Sequence, residues 1–448
     1  MAKDIAGLDR LSKEAADLFR RDSQVIAGIE KLRFFPVVVE GGEGATLFEA
    51  GGRKLIDFSA TWTAAGLGYG HPRVTEAITR AAKNPGGMGL SIANSSAIAF
   101  AEELLAITPG GPDRKVYIGH AGSDACDVAL RGVRFNSSKR KIVAFEHSYH
   151  GGIGLSMSVS GVHVDTGATE PDSDTIFVSY PNPYRPPIDD PTPEGATKAS
   201  LAQIEAAFRG GEVACIIVEP ILDDGGLVVP PKGFLAEIEK LCHSYNVIMI
   251  CDEVKVGLGR PGLLHAFAHD GVTPDIVCFG KAIGNGFPLS AAVGPTELLN
   301  GPTAAALLTT AGNPVSAEVG RAVIRTLIED DIPARTKAAG ELMRRLFAEL
   351  DSPYIGDIRG YGLVTGVELV SDRESKQIAK SLTAATIYRA FELGLCVFSV
   401  GPNVLEITPP MIISDELIER GVSIIGQAIE DAASGRVDPE AVAAFSGW

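Results

Sequence analysis

Two short apolar runs within residues 247–281 constrain this chain more than any other feature. The first, Val247 to Cys251, stops abruptly at Asp252 and Glu253; the second, Ile276 to Phe279, is followed by Gly280 and Lys281. Runs this short and uniformly apolar read as strands buried on both faces of a parallel sheet. An open α/β sheet binds its ligands in the crevice beyond the carboxyl ends of its strands. One strand end therefore offers a carboxylate, and another an amine, to the same crevice. A lysine there can form a Schiff base, and an acid can keep a pyridine nitrogen protonated, as pyridoxal phosphate requires. The plainer reading, a solvated Asp and Lys flanking two core strands, accounts for the spacing equally well.

A chain of 448 residues implies two domains, or one large enzyme with a smaller appendage. Its formal net charge of −16 disfavours nucleic acid or an anionic membrane surface as partner. The six cysteines are scattered, several within strand-like runs, with no CxxC pair and no Cys/His spacing for a metal. They read as small buried residues in a reducing compartment. The N-terminal stretch is charged and helical without an apolar leader core, and no segment approaches a membrane span of about 20 apolar residues. The expectation is a cytoplasmic protein.

Residues 8 to about 31 show helical periodicity, and the segment to Ser59 alternates short apolar runs with Gly-Gly pairs, a hairpin pattern. Residues 59–74 form a glycine-rich loop carrying Trp62, either a core anchor or a wall of the substrate pocket. A strand at 115–120 runs straight into AGSDACDVALRGVRF, so Ala121 to Asp124 open a helix whose N-terminus suits a phosphate. The strand beginning at Lys141 ends in a SYHGG turn. Tyr149 there could stack on a flat cofactor, while His150 reads as structural. Residues 160–200, rich in Asp, Pro, Thr and Gly, read as a long surface excursion. Residues 214–220 are another buried strand, ending in Glu219, with Asp223 and Asp224 in the loop beyond it. A helix spans Phe234 to Tyr245, and a Thr-Thr-Ala-Gly-Asn-Pro loop opens another near 314. From about 330 the pattern becomes α+β, with a glycine-punctuated strand pair and helices at 335–350, 383–394 and 414–433. The division expected is 1–60 as an N-terminal part of a small domain, 61–328 as a large cofactor-binding domain, and 329–448 as the rest of the small domain.

Taken in order, GSDA, SYHGG, CDEV, FGKAIGNGFPL, TTAGNP and IRGYGL resemble the class III aminotransferases, pyridoxal phosphate enzymes of fold type I. The resemblance covers nearly the whole chain. It implies an α/β fold with a mainly parallel seven-stranded sheet flanked by helices, a small α+β domain, and a homodimer with shared active sites. By position it makes Lys281 the Schiff-base lysine and Asp252 the partner of the pyridine nitrogen. Gly122 and Ser123 would hold the phosphate, Tyr149 and Val254 would pack on the two ring faces, and Thr309 would reach the neighbouring subunit's phosphate. Three positions depart from the family pattern. Glu406 stands where 4-aminobutyrate-type members carry the arginine that clamps a substrate carboxylate; a carboxylate there repels one. Lys255 replaces the usual Gln, and Ala121 the usual Ser.

LRFFP, GYGHP, YPNPYRP, DDGGLVVPP, CDEVKVGL, NVLEITPP and the terminal FSGW are similar to one branch of that family, the α-amino-ε-caprolactam and amino acid amide racemases. Substrates of that branch carry no free carboxylate, which fits the missing arginine. The resemblance implies racemisation through an external aldimine and a quinonoid carbanion. Lys281 would serve one face of the α-carbon and Asp224, with Tyr149 nearby, the other, and Trp62 would wall the pocket. An ordinary loop acid is the plain alternative for Asp224. The rival activities are an aminotransferase of carboxylate-free amines and a catalytically idle cofactor-binding scaffold; pyruvate-dependent turnover and an unresponsive absorption spectrum distinguish them.

Overall fold

The computed structural model describes residues 6–83 and 85–445; residues 1–5 of the charged N-terminal stretch and 446–448 of the terminal FSGW lie outside the described residues. In chain order the longer elements begin with α1 (Lys13–Val25), β1 (Val39–Glu43), β2 (Thr46–Glu49), β3 (Lys54–Asp57), α2 (Pro72–Lys83) and α3 (Ser95–Ile107). Next come β4 (Arg114–Gly119), α4 (Gly122–Asn136), β5 (Lys141–Phe145), β6 (Thr175–Val178), α5 (Pro193–Arg209), β7 (Val213–Val218) and α6 (Phe234–Tyr245). They continue with β8 (Ile248–Asp252), β9 (Ile276–Phe279), β10 (Ser290–Pro295), α7 (Pro314–Glu329) and α8 (Ile332–Glu349). The last are β11 (Ile355–Tyr361), β12 (Val364–Leu369), α9 (Lys380–Glu392), β13 (Leu395–Cys396), β14 (Phe398–Val400), β15 (Val404–Ile407) and α10 (Asp415–Ala433).

Seven strands form one sheet in the order β4-β10-β9-β8-β7-β5-β6. The pairs from β9 through β6 are parallel, and only β10 runs against its neighbours. The other six strands therefore bring their carboxyl ends to one edge. Strand alternation sorts the side chains between two cores. Val143, Ile216, Met249 and Val277 enter one; Ile142, Ile217, Ile250 and Cys278 enter the other. With both faces covered, no strand position has to be polar, which is why β7, β8 and β9 are apolar runs.

The two ends of the chain meet in separate sheets. β13 adds in parallel to β3 in the sheet β1-β2-β3-β13, and β11-β12-β15-β14 form an antiparallel sheet. Phe19, Phe34 and Phe58 from the N-terminal segment share a core with Phe347, Phe391 and Ile425. α1 starts later and ends earlier than the periodicity over 8–31 implies: Ser12 caps it, its Oγ accepting the Ala15 N–H at 3.1 Å, and it stops at Val25.

The 160–200 segment is a correction. Thr175–Val178 pairs in parallel with β5 and extends the main sheet, and Pro193 opens α5 behind a Thr192 cap. As an edge strand β6 keeps three half-buried positions, so it lacks the uniform apolar run of the central strands. The small, glycine-rich stretch after Lys281 likewise ends in β10, whose Ala291 and Ala292 give little apolar signal although both are buried.

Candidate active site

The site assembles where β4, β5, β7, β8 and β9 end. Asp252 closes β8 and is buried; its Oδ1 accepts the Val254 N–H at 3.0 Å. Its Oδ2 accepts the Cys126 thiol at 3.3 Å and lies 2.8 Å from Nδ1 of His150. His150, read from the sequence as structural, thus reaches the site through Asp252, and its ring is fully enclosed. Lys281 follows β9 by one glycine and takes a positive φ of 48°. Gly280 is needed there: a Cβ would come within 3.0 Å of the Gly122 backbone, so β9 and the start of α4 touch.

Asp124 ties the α4 turn down, accepting the His120 and Ala121 N–H groups at 2.8 and 3.1 Å and the Ser290 hydroxyl at 2.6 Å. The cap position, Ala121, carries no side-chain acceptor. The first N–H groups of α4 therefore call for an anion from outside. Gly122, Ser123, Tyr149, Val254, Asp252 and Lys281 all line one cavity of about 520 Å³. An amine, a buried carboxylate that holds a ring N–H, two faces for a flat ring and an open helix N-terminus converge there, and this donor set fits pyridoxal phosphate.

Glu219, at the end of β7, accepts the Tyr149 N–H at 3.0 Å and orients that turn. Burial drives Glu219 well above the usual carboxylate value, with Asp252 and Asp224 adding to the shift. Burial likewise raises the Tyr149 hydroxyl, helped by Asp224. Glu253, beside Asp252, does not line the cavity. It accepts the Ala266 and Phe267 N–H groups at 2.9 Å each, and burial pushes it up to about 7.

Lys255 is the feature that sequence reasoning registered as a departure without assigning it a role. Its Nζ lies 3.2 Å from Asp223, 3.5 Å from Asp224 and 3.1 Å from Glu406, and 4.7 Å above the Trp62 ring. Burial alone would lower Lys255, but the three carboxylates outweigh it and hold the ammonium well above its ordinary value. Burial pushes Glu406 up to about 8 despite Lys255, and raises Asp223. A second cavity of about 260 Å³ shares Tyr149, Asp224, Lys255 and Lys281 and is closed by Trp62, Leu32 and His163. Leu32 and His163 were missed; the only signal was LRFFP standing beside an aromatic cluster that the fold alone assembles. Trp62 lines this second cavity and packs on Phe398 and Phe34 with ring centroids 4.7 and 5.9 Å away. Thr309 lines neither cavity of this chain; it is exposed, its carbonyl against Gly89.

Residues 29–429 match the family model described as Aminotransferase class-III. The chain belongs to that family. Among curated class III relatives it is 33% identical to the alanine/serine racemase of Pyrococcus horikoshii, over 96% of this chain and 93% of that protein. It is 31% identical to the leucine/methionine racemase of Thermococcus litoralis, over 96% and 99%. The ω-transaminase of Pseudomonas jessenii in complex with PMP superposes with a TM-score of 0.83 at 26% identity, covering 89% of this chain and 93% of that one. As a class III enzyme the chain uses pyridoxal 5′-phosphate, and its relatives divide between racemases and aminotransferases.

Proposed function

We propose that this chain is a racemase of amines whose α-carbon carries an amide or lactam group in place of a carboxylate. The observation that carries this reading is the saturation of Lys255 by Asp223, Asp224 and Glu406. No arginine is among the described residues lining either cavity. A substrate carboxylate placed beside Asp224 would enter an acidic cluster whose neighbouring ammonium, Lys255, is already held, and would find no guanidinium to clamp it, whereas an amide N–H would meet acceptors.

When bound, pyridoxal phosphate makes the substrate α-C–H acidic by drawing off the electrons left behind. Gly122, Ser123 and the N-terminus of α4 would hold the phosphate, and Tyr149 and Val254 would flank the ring. Asp252, fixed by Val254, Cys126 and His150, would keep the ring nitrogen protonated. Lys281 receives the substrate proton on its own face. Asp224 delivers a proton to the opposite face, directly or through one water, with Tyr149 beside it. Trp62 and Leu32 close the pocket around the substrate side chain. The active assembly in this reading is a homodimer, Thr309 completing the neighbouring site. Exposed Met88, Leu90, Ile92 and Leu307 give that face an apolar surface to bury.

The competing reading is an aminotransferase of carboxylate-free amines, favoured by the ω-transaminase superposition, since Lys281 and Asp252 serve both reactions. The holoenzyme in deuterated water, given one enantiomer of alaninamide or α-amino-ε-caprolactam without a keto acid, separates them. Racemisation with deuterium at the α-carbon supports the proposal. Deuterium entry with retained configuration removes Asp224 from its role. Turnover only after pyruvate is added selects the aminotransferase, and faster racemisation of free alanine than of its amide overturns the substrate assignment.

A further inference from the structure

Four consecutive non-glycine residues, Ala60, Thr61, Trp62 and Thr63, have positive φ values of 45°, 50°, 57° and 66°. L-residues avoid this region, and β-branched threonines avoid it most. Such a run persists only where its surroundings over-determine it. One fully buried side chain supplies most of that constraint. Asp57, the last residue of β3, accepts the Ser59 N–H, the Ser59 hydroxyl and the Ala60 N–H on Oδ1 at 2.8, 2.7 and 3.0 Å. Its Oδ2 accepts the Tyr69 hydroxyl at 2.7 Å, and that hydroxyl lies 2.9 Å from Oγ1 of Thr61. Ser59 then accepts the Thr61 N–H on its hydroxyl at 3.2 Å and the Thr63 N–H on its carbonyl at 3.0 Å. Asp57 lines neither cavity. The residue at the apex of the turn is Trp62, which does line the second.

We propose that Asp57 is a positioning residue: by clamping this left-handed turn it fixes where Trp62 stands, and so sets which substrate side chains the pocket accepts. The inference rests on the reading above that Trp62 faces the substrate. The selectivity of the enzyme is then controlled from behind the pocket, by hydrogen bonds that no substrate touches. Relaxing the turn frees Trp62 from Phe398 and Lys255 without disturbing Lys281, Asp252 or the α4 turn.

The test uses the holoenzyme in a Trp448→Phe background, so that emission reports Trp62 alone. Asp57→Ala removes the clamp, and Asp57→Asn keeps an acceptor for Ser59 and Ala60 but not the charge. Tyr69→Phe is the milder variant should Asp57→Ala fail to fold. Retained cofactor absorbance certifies an intact site. Asp57→Ala is expected to raise acrylamide quenching of Trp62 and to change the ratio of KM for phenylalaninamide to KM for alaninamide about tenfold. In the same variant kcat moves less than KM, and Asp57→Asn lies between it and the parent. Unchanged quenching and an unchanged KM ratio in folded Asp57→Ala, or in Tyr69→Phe if that variant alone folds, overturn the proposal. So does a fall in kcat alone, equal for both amides, because a purely structural role would produce it. If amides do not react at all, the functional reading fails separately. The Trp62 quenching of the variants then still decides whether Asp57 holds the turn.

Discussion

At the scale of single residues, the acidic end of the pocket makes the firmest predictions. Glu406 rises from an ordinary glutamate value to about 8 because it is buried beside Asp223 and Asp224. Burial and the two neighbouring acids therefore oppose its charged form, and Lys255 at 3.1 Å offsets them only in part. The stability contributed by the neutral form is complete below about pH 4.5 and is lost as pH rises towards 8. Glu406→Gln stays neutral throughout, so its melting temperature should fall less than the parent's between about pH 5 and pH 8; parallel curves would show that Glu406 is charged after all. Asp224→Asn keeps the shape of the second-face residue but cannot carry its proton. Inversion should drop by about a hundredfold or more while deuterium exchange from the Lys281 face survives. Equal loss of both would mean that Asp224 serves binding alone.

At the scale of elements, the start of α4 joins fold and cofactor. Its open cap and the hydroxyl of Ser123, which also accepts the Gly152 N–H at 3.1 Å, hold the SYHGG turn against the helix. Ser123→Ala should weaken cofactor binding about tenfold, read by titrating the absorbance of the bound cofactor, with Tm in excess cofactor little changed. Unchanged affinity would place the phosphate elsewhere. A purely structural prediction concerns α8, where a Cβ at Gly340 would sit 1.7 Å from the Gly362 carbonyl. Gly340→Ala must push α8 away from the turn between β11 and β12. It should lower stability by roughly 1–3 kcal/mol in urea denaturation; a neutral result would show that α8 shifts freely.

For the whole molecule, the exposed apolar residues around Thr309 make the oligomeric state decisive. Sedimentation should give twice the chain mass, and Leu307→Glu, placing a charge on that face, should shift the protein towards monomer and lower activity together. Activity retained by a true monomer would end the shared-site reading. What was legible in the sequence follows chemistry carried by short segments. Apolar runs identified β7, β8 and β9, and the strand-end positions of Asp252 and Lys281 placed an acid and an amine in one crevice. β6 and β10 were hidden because an edge position and small residues remove the apolar signal. Lys255 shows the limit most clearly. Its identity was plain, but its partners come from the loop after β7, which carries Asp223 and Asp224, and from a strand of another sheet, which carries Glu406. The left-handed turn at Trp62 was equally invisible, because no glycine marks it and the Asp57 that holds it lies outside the pocket. The sequence by itself determined the fold class and the cofactor chemistry, since periodicity marks the buried strands and the ordered motifs from GSDA to IRGYGL resemble the class III family. Only the tertiary structure decided the charge balance of the pocket and the place of Trp62, because both depend on distances between segments far apart in the chain.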